Sequence, residues 1–347
     1  MSKKLSYTER LNSALRAEHD KVFNSENNKL KNEVSETVES CPICSSKKKR
    51  IYCIKDSFIH ERCKTCSFVY LNPRLNNEAT FSFYNSDVNE IYNEEKFHAI
   101  NAELNPDDIS NINNYKLLKN HVRDLKGKKL LEIGPGRGVF LKEAHKDGMN
   151  VNAIELNELL INQLEKFCNY VYTKDLLELK LEAEFYDYVY FRDVIEHIPD
   201  PMPFLKEVFR ILKPGGYVLI DTHNIDSLIN KATGKYHTVI FAFEHPVHWS
   251  PKTLKLACEK VGFKLVKSYN TIEINFSLNI ILDYYRHPSF TYIFPPEKSQ
   301  LKDFTFKVLK RLLSIGIIHK FDRLFSVSLT KLTNKGSKMQ VIFRKPL

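Results

Sequence analysis

The sequence predicts an α/β fold built on a parallel, doubly wound sheet. Three observations carry this. Residues 130–138, LLEIGPGRG, pass from apolar positions into glycines at 134, 136 and 138, and the helix-like stretch VFLKEAHKDG follows. That is strand, glycine turn, helix, the first crossover of a parallel sheet. Strand-like and helix-like segments then alternate through Asn224. A second strand, VNAIEL at 151–156, carries Glu155, about twenty residues past the glycines, where a carboxylate can accept from both hydroxyls of a ribose.

The glycine spacing is GxGxG and not GxGxxG, because Val139 stands where the last glycine of a dinucleotide site belongs. Pro135 also removes a backbone N–H donor from the turn. The pattern therefore calls for an adenosyl group with a free ribose diol and shows little of a pyrophosphate site.

These residues resemble the class I S-adenosylmethionine (SAM)-dependent methyltransferases. LLEIGPGRG resembles their first motif, and Glu155 their second-strand acid. YTKDLLEL sets Asp175 and Leu176 after a third strand, where the family binds adenine. FYDYVYFRDVIEHIPDP (185–201) resembles the fourth strand and its exit, and FLKEVFRILKPGGYVLIDTHN (204–224) the next helix, LKPGG turn and fifth strand. The resemblance covers 127–269 and the last ten residues. It implies a Rossmann-like, seven-stranded sheet and SAM held by Glu132, Gly134, Gly136, Gly138, Glu155, Asp175, Leu176 and Arg192, with Tyr84 from a capping segment.

Composition sets the outer bounds. A chain of 347 residues, 43% hydrophobic, can bury a large core. No apolar run is long enough to span a membrane, and MSKKLSYTERLNSALRAEHDK lacks the apolar centre of a secretion signal. A cytoplasmic protein is expected. The net charge is +10, and within 301–347 eleven Lys or Arg against two Asp leave +9. Such a region implies an anionic neighbour: phospholipid, through peripheral contact of 301–345 with the inner membrane face, a nucleotide-linked substrate, or nucleic acid. The alternative is a solvated basic face.

Taken in order, residues 1–39 are polar with helix-like patches and read as a mobile or loosely helical tail. Residues 40–75 read as a zinc-ribbon-like module: Cys41-Pro-Ile-Cys44 and Cys63-Lys-Thr-Cys66 lie eighteen residues apart around a β-rich segment. Four thiolates at this spacing suit tetrahedral, structural zinc with no open position. Cys168 and Cys258 read as core. Residues 76–126 read as a helical cap and linker with Tyr84 and Tyr92, which also suit an ordinary packed aromatic face. Residues 127–270 and 338–347 form the expected SAM-binding domain. Between them, 271–337 reads as a basic helical insertion, with Phe304, Val308, Leu312 and Ile315 on one face.

SAM brings an activated methyl group, so the protein must supply a positioned acceptor and a base. His245 is the leading base, with Glu244 beside it. FEHPVHWS resembles the EHxxxxS segment of sugar C-methyltransferases, although Ala242 replaces their tyrosine. The glycine loop instead resembles ubiquinone-pathway O-methyltransferases. His197, at the exit of the fourth strand, is the second candidate. A structural role is the alternative for each histidine. The expected substrate is a small molecule or glycan, sugar-like and nucleotide- or lipid-linked. A rival reading takes Asp193, Glu196 and His197 with His245 or His248 as a divalent-metal site, similar to small-RNA ribose 2′-O-methyltransferases, with nucleic acid as partner. A third is a SAM-binding scaffold without catalysis.

Overall fold

The computed structural model describes residues 7–92, 106–122, 124–271, 311 and 316–347. Strands follow in chain order: β1 (Ser35–Glu36), β2 (Lys49–Lys55), β3 (Phe58–Cys63), β4 (Val69–Leu71), β5 (Arg74–Leu75), β6 (Lys129–Ile133), β7 (Asn150–Ile154), β8 (Tyr170–Tyr172), β9 (Tyr186–Arg192), β10 (Leu212–His223), β11 (Val247–His248), β12 (Lys264–Thr271) and β13 (Lys338–Arg344). The chain divides into two compact units.

One unit takes Lys96–Thr222, Pro251–Tyr269 and Met339–Leu347. Its seven-stranded sheet runs β12-β13-β10-β9-β6-β7-β8, and β10, β9, β6, β7 and β8 are parallel neighbours. This is the Rossmann-like architecture expected. Strands covered on both faces read as continuous apolar runs, as LLEI and VYF do. The core gathers Leu130, Phe140, Ala144, Val151, Tyr190 and Leu219, and the rings of Phe140 and Tyr190 stack 3.9 Å apart. Strand order reverses at β6, which lies between β9 and β7. At such a switch point the strand exits part and leave a crevice, and the glycine turn follows β6 directly.

The other unit takes Met1–Glu95, His223–Ser250 and Asn270–Lys338. Its four-stranded sheet, β11-β4-β3-β2, is antiparallel throughout. This division differs from the linear one expected, because 223–250 supplies β11 to the cysteine hairpin's sheet. Tyr7–Val22 is a helix, and Leu15, Val22 and Phe23 join Phe58, Phe83 and Phe243 in a buried cluster. A narrow apolar stripe among many polar residues is enough to dock a helix once distant aromatic rings cover it.

The Asn72-Pro73-Arg74 turn acts as a clamp. Asn72 accepts from the Val38 N–H at 2.8 Å and donates to the Val38 carbonyl at 3.2 Å. Arg74 donates to Glu36 at 2.6 Å. Within the expected insertion, Gly316–Thr333 is helical, while the face built on Phe304, Val308, Leu312 and Ile315 lies outside the described residues. No described helix is long and apolar enough to cross a membrane.

Candidate active site

The glycine turn is shaped by two distinct constraints. Gly136 has φ +54°, and a Cβ there would meet nothing within 4 Å. Its backbone therefore borders open space that a ligand can approach. Gly138 starts the helix Val139–Lys146 at φ +67°, and a Cβ there would sit 2.6 Å from Leu164 and 2.8 Å from Phe167. That position needs glycine for packing as well as conformation.

Glu155, at the exit of β7, is aimed by two backbone donors. Gly136 N–H reaches one carboxylate oxygen at 3.2 Å and Asn157 N–H the other at 2.9 Å. Glu132 is buried, and burial together with the Glu155 charge pushes its carboxyl well above the usual range. One Glu132 carboxyl oxygen has no protein partner. These features fit SAM: an anchored acceptor for the ribose diol, an open glycine backbone and a buried carboxyl with one oxygen left unpartnered.

Other expected cofactor contacts carry structural duties. Asp175 caps the short helix Leu176–Leu179 by accepting the Leu177 N–H at 2.9 Å, and Leu176 is buried. Arg192 lies 3.4 Å from Asp221 and 3.5 Å from Asp193, an ion-paired position at the strand exits. Asp221 is buried and also accepts from Asn114 at 2.6 Å. Glu196 is buried and accepts the Thr222 hydroxyl at 2.8 Å, and His197 is half-buried on the same turn, Ile195–His197. Among the described residues, only Cys41, Cys44, Cys63 and Cys66 bring three or more possible metal ligands within 4.8 Å of one another. The Asp193, Glu196 and His197 set is not such a cluster.

In the other unit, the tight turn ending at His245 places its ring under the preceding chain: the His245 N–H donates to Phe241 O at 2.8 Å, and Nδ1 lies 2.9 Å from the Val239 carbonyl. A carbonyl only accepts, so Nδ1 carries the proton and Nε2 carries the lone pair. Glu244 is half-buried and near enough to Tyr84 to help burial raise that phenol's pKa. Tyr84 therefore lies beside Glu244, in the same unit as His245.

Sequence reasoning missed His60 and His223. His248 hydrogen-bonds through Nε2 to His60 Nδ1 at 3.1 Å and through Nδ1 to His223 Nε2 at 3.3 Å. The rings of His223 and His245 lie 5.4 Å apart. Because His248 spends both nitrogens on different partners, the set is a hydrogen-bonded chain and not one metal's ligand shell. His248 and Trp249 are fully buried, so they support the loop and do not line an open pocket. No local spacing reveals a chain joining positions 60, 223 and 248.

Burial pushes His60 and His237 down to about 3, and His248 well below its usual value. Folded values below the unfolded one mean that the unfolded chain binds more protons as pH falls below about 6.5. Stability is thus full above that pH and declines toward pH 3, by about 1.4 kcal/mol per pH unit for each histidine. Chemical denaturation across acid pH is expected to show this decline, and His60→Gln to make it shallower. An unchanged slope would contradict the assignment.

The cysteine cluster is built from two matching knuckles. Ser45 N–H donates to Cys41 O at 2.9 Å and Ser67 N–H to Cys63 O at 3.0 Å, with Ser45 and Ser67 both at positive φ. Cys41 and Cys66 sulfurs lie 3.5 Å apart, as do those of Cys44 and Cys63. Tetrahedral zinc with bonds of about 2.3 Å needs sulfurs roughly 3.8 Å apart, so the four residues fit that ion. Cys66 is pulled down to about 5, first by its hydrogen bond with Cys41.

Comparison with known proteins agrees with the cofactor half. Residues 108–268 match a family model described as a methyltransferase domain. A ubiquinone biosynthesis O-methyltransferase of Acinetobacter baylyi is 29% identical over 140 residues, which are 38% of this chain and 56% of that protein. Its counterpart in Pseudomonas fluorescens (strain Pf0-1) is 33% identical over 108 residues, 29% of this chain and 47% of that one. The chain thus spans about half the length of these relatives. A SAM-dependent methyltransferase structure from Archaeoglobus fulgidus aligns at 22% identity and TM-score 0.44, covering 68% of this chain and 94% of that one. Residues 108–268 thus match a methyltransferase domain in sequence and lie on the Rossmann-like sheet and glycine turn described above.

Proposed function

We propose that the protein transfers the methyl group of SAM to a hydroxyl, or an acidic carbon, of an anionic, sugar-like acceptor, with His245 as the base. The observation that carries this reading is the seating of His245: Nδ1–H donates to the Val239 carbonyl at 2.9 Å, which fixes the ring and makes Nε2 the basic nitrogen of its neutral form. Bound SAM supplies the electrophilic methyl group. Glu155 holds the ribose diol, and the Gly136 backbone leaves room for the adenosyl group. His245 would take the acceptor's proton at Nε2, and the Val239 carbonyl would steady the resulting imidazolium. Glu244 adds negative charge on the same turn. The ubiquinone enzymes' substrates are not carried over, because the matches span only about half of those enzymes' length.

We assign the four cysteines to one structural zinc, without a part in methyl transfer. The basic C-terminal region suits peripheral contact with an anionic membrane face: helix Gly316–Thr333 leaves Phe321, Leu324, Phe325 and Leu332 exposed beside Lys320 and Lys331.

Glu155→Ala is expected to weaken SAM by about 1.5–3 kcal/mol, the loss of a charge-assisted hydrogen bond. Equal affinities by calorimetry would remove Glu155 from the site. The acceptor reading is tested by incubating the protein and methyl-labelled SAM with fractionated cell extract. Label is expected in nucleotide-sugar or lipid-linked glycan pools. Label confined to RNA, protein or quinone would overturn the sugar assignment.

A further inference from the structure

The cysteine-hairpin unit contains a cavity of about 350 Å³ that the account above does not use. Its walls include Tyr52, Arg62, Asp226, Asn230, Lys231 and Lys235. We propose that this cavity binds the diphosphate, or phosphate ester, of an organic ligand. The proposal deepens the functional reading by giving the anionic acceptor a handle. It rests on that reading only for the link to the acceptor.

Arg62 carries the argument. It lies on β3 with a side chain 18% exposed, and its guanidinium sits over the Tyr52 ring at 4.6 Å. Among the described residues it makes one hydrogen bond, to Asp226 at 3.1 Å. Its Nε is buried without a protein partner. A guanidinium offers five N–H donors in a planar fork, and buried donors are normally satisfied. A largely enclosed arginine that uses so little of its fork is set up for a further acceptor, and phosphate oxygens match that fork two at a time.

The surrounding charge agrees. Lys231 stands on helix Leu228–Thr233, and Lys235 on the turn Gly234–Tyr236 that follows. No carboxylate among the described residues pairs with Lys231. Three cations against the single carboxylate of Asp226 leave the walls two positive charges in excess. Cys53 adds none, because burial pushes its thiol up to about 11 and keeps it neutral. Gly234 keeps the turn open: a Cβ there would meet nothing within 4 Å.

Size completes the description. The volume lies in the range of small-molecule sites and exceeds what one inorganic phosphate fills. Tyr52 and Ile225 offer an aromatic and an aliphatic surface for the rest of the ligand. The diphosphate could be part of a soluble nucleotide or of a lipid-linked carrier, and both present the same anion.

The experiment is calorimetry on the full chain, with no SAM present. Pyrophosphate and uridine diphosphate serve as soluble probes, and phosphatidylcholine vesicles carrying farnesyl diphosphate as the lipid probe. Saturable binding of at least one probe is expected, weakened roughly tenfold or more by Arg62→Gln and by Lys231→Gln. Lys231 is exposed, so its replacement does not threaten folding. SAM affinity of both variants is expected to match wild type, and Glu155→Ala to bind the probes as wild type does. Binding of the vesicle probe alone, lost with Lys231→Gln, supports the site with a lipid-linked source. No saturable binding of any probe, or binding unchanged by both substitutions, would overturn the proposal while leaving SAM binding and methyl transfer to be judged by their own assays.

Discussion

Replacing His245 with alanine is expected to lower methyl transfer by roughly a hundred- to ten-thousand-fold, the usual contribution of a positioned general base. SAM affinity should stay near the wild-type value, because the cofactor contacts assigned here, Glu155 and the glycine turn, lie in another part of the chain. The tautomer sharpens this expectation. With Nδ1–H committed to the Val239 carbonyl at 2.9 Å, a neutral ring can take a proton only at Nε2. His245→Gln keeps a polar side chain without a base of comparable strength and should remain impaired. The pH–rate profile should lose its acidic limb in either variant, since that limb reports protonation of the base. Turnover that survives alanine at 245 would move the role elsewhere, with His197 the next residue to replace. Activity abolished by chelators and restored by manganese or magnesium would instead revive the metal-dependent reading.

The second large effect concerns zinc. Cys63→Ser, or exhaustive chelation, is expected to unfold the cysteine hairpin. Structural zinc in small modules contributes about 10–16 kcal/mol of apparent binding energy at neutral pH, all of it tied to folding. The Cys63 sulfur also receives the Thr65 N–H at 3.4 Å and the Cys66 N–H at 3.5 Å. Elemental analysis of protein purified reduced and without chelator should find one zinc per chain, and the variant should lose both the metal and its cooperative thermal transition over this module. Wild-type protein without metal, or a variant as stable as wild type, would contradict the assignment.

The parts legible in the sequence are those whose chemistry is local. The glycine turn, Glu155 and the two CxxC knuckles each sit within a short window whose spacing already implies a geometry. The helix Pro251–Val261 is bounded just as locally, with proline at its first position and Gly262 at φ +114° just past its end. Asp175 shows the limit of motif matching. Its neighbours, LLEL, also make it an N-cap, and the hydrogen bond to Leu177 satisfies that local rule. What stayed hidden depends on distant chain segments meeting. The Tyr7–Val22 helix looks polar until Phe58 and Phe243 cover its stripe. The His60–His248–His223 chain, and the seating of Arg62 over Tyr52 and against Asp226, join residues with no common window.

The central claim, that residues 108–268 hold SAM at the glycine turn, is tested most directly by titrating SAM into the full chain and following heat. One SAM per chain, displaced by S-adenosylhomocysteine and not by NAD, is the result this account predicts. Absence of saturable SAM binding, or displacement by NAD as readily as by S-adenosylhomocysteine, would contradict it.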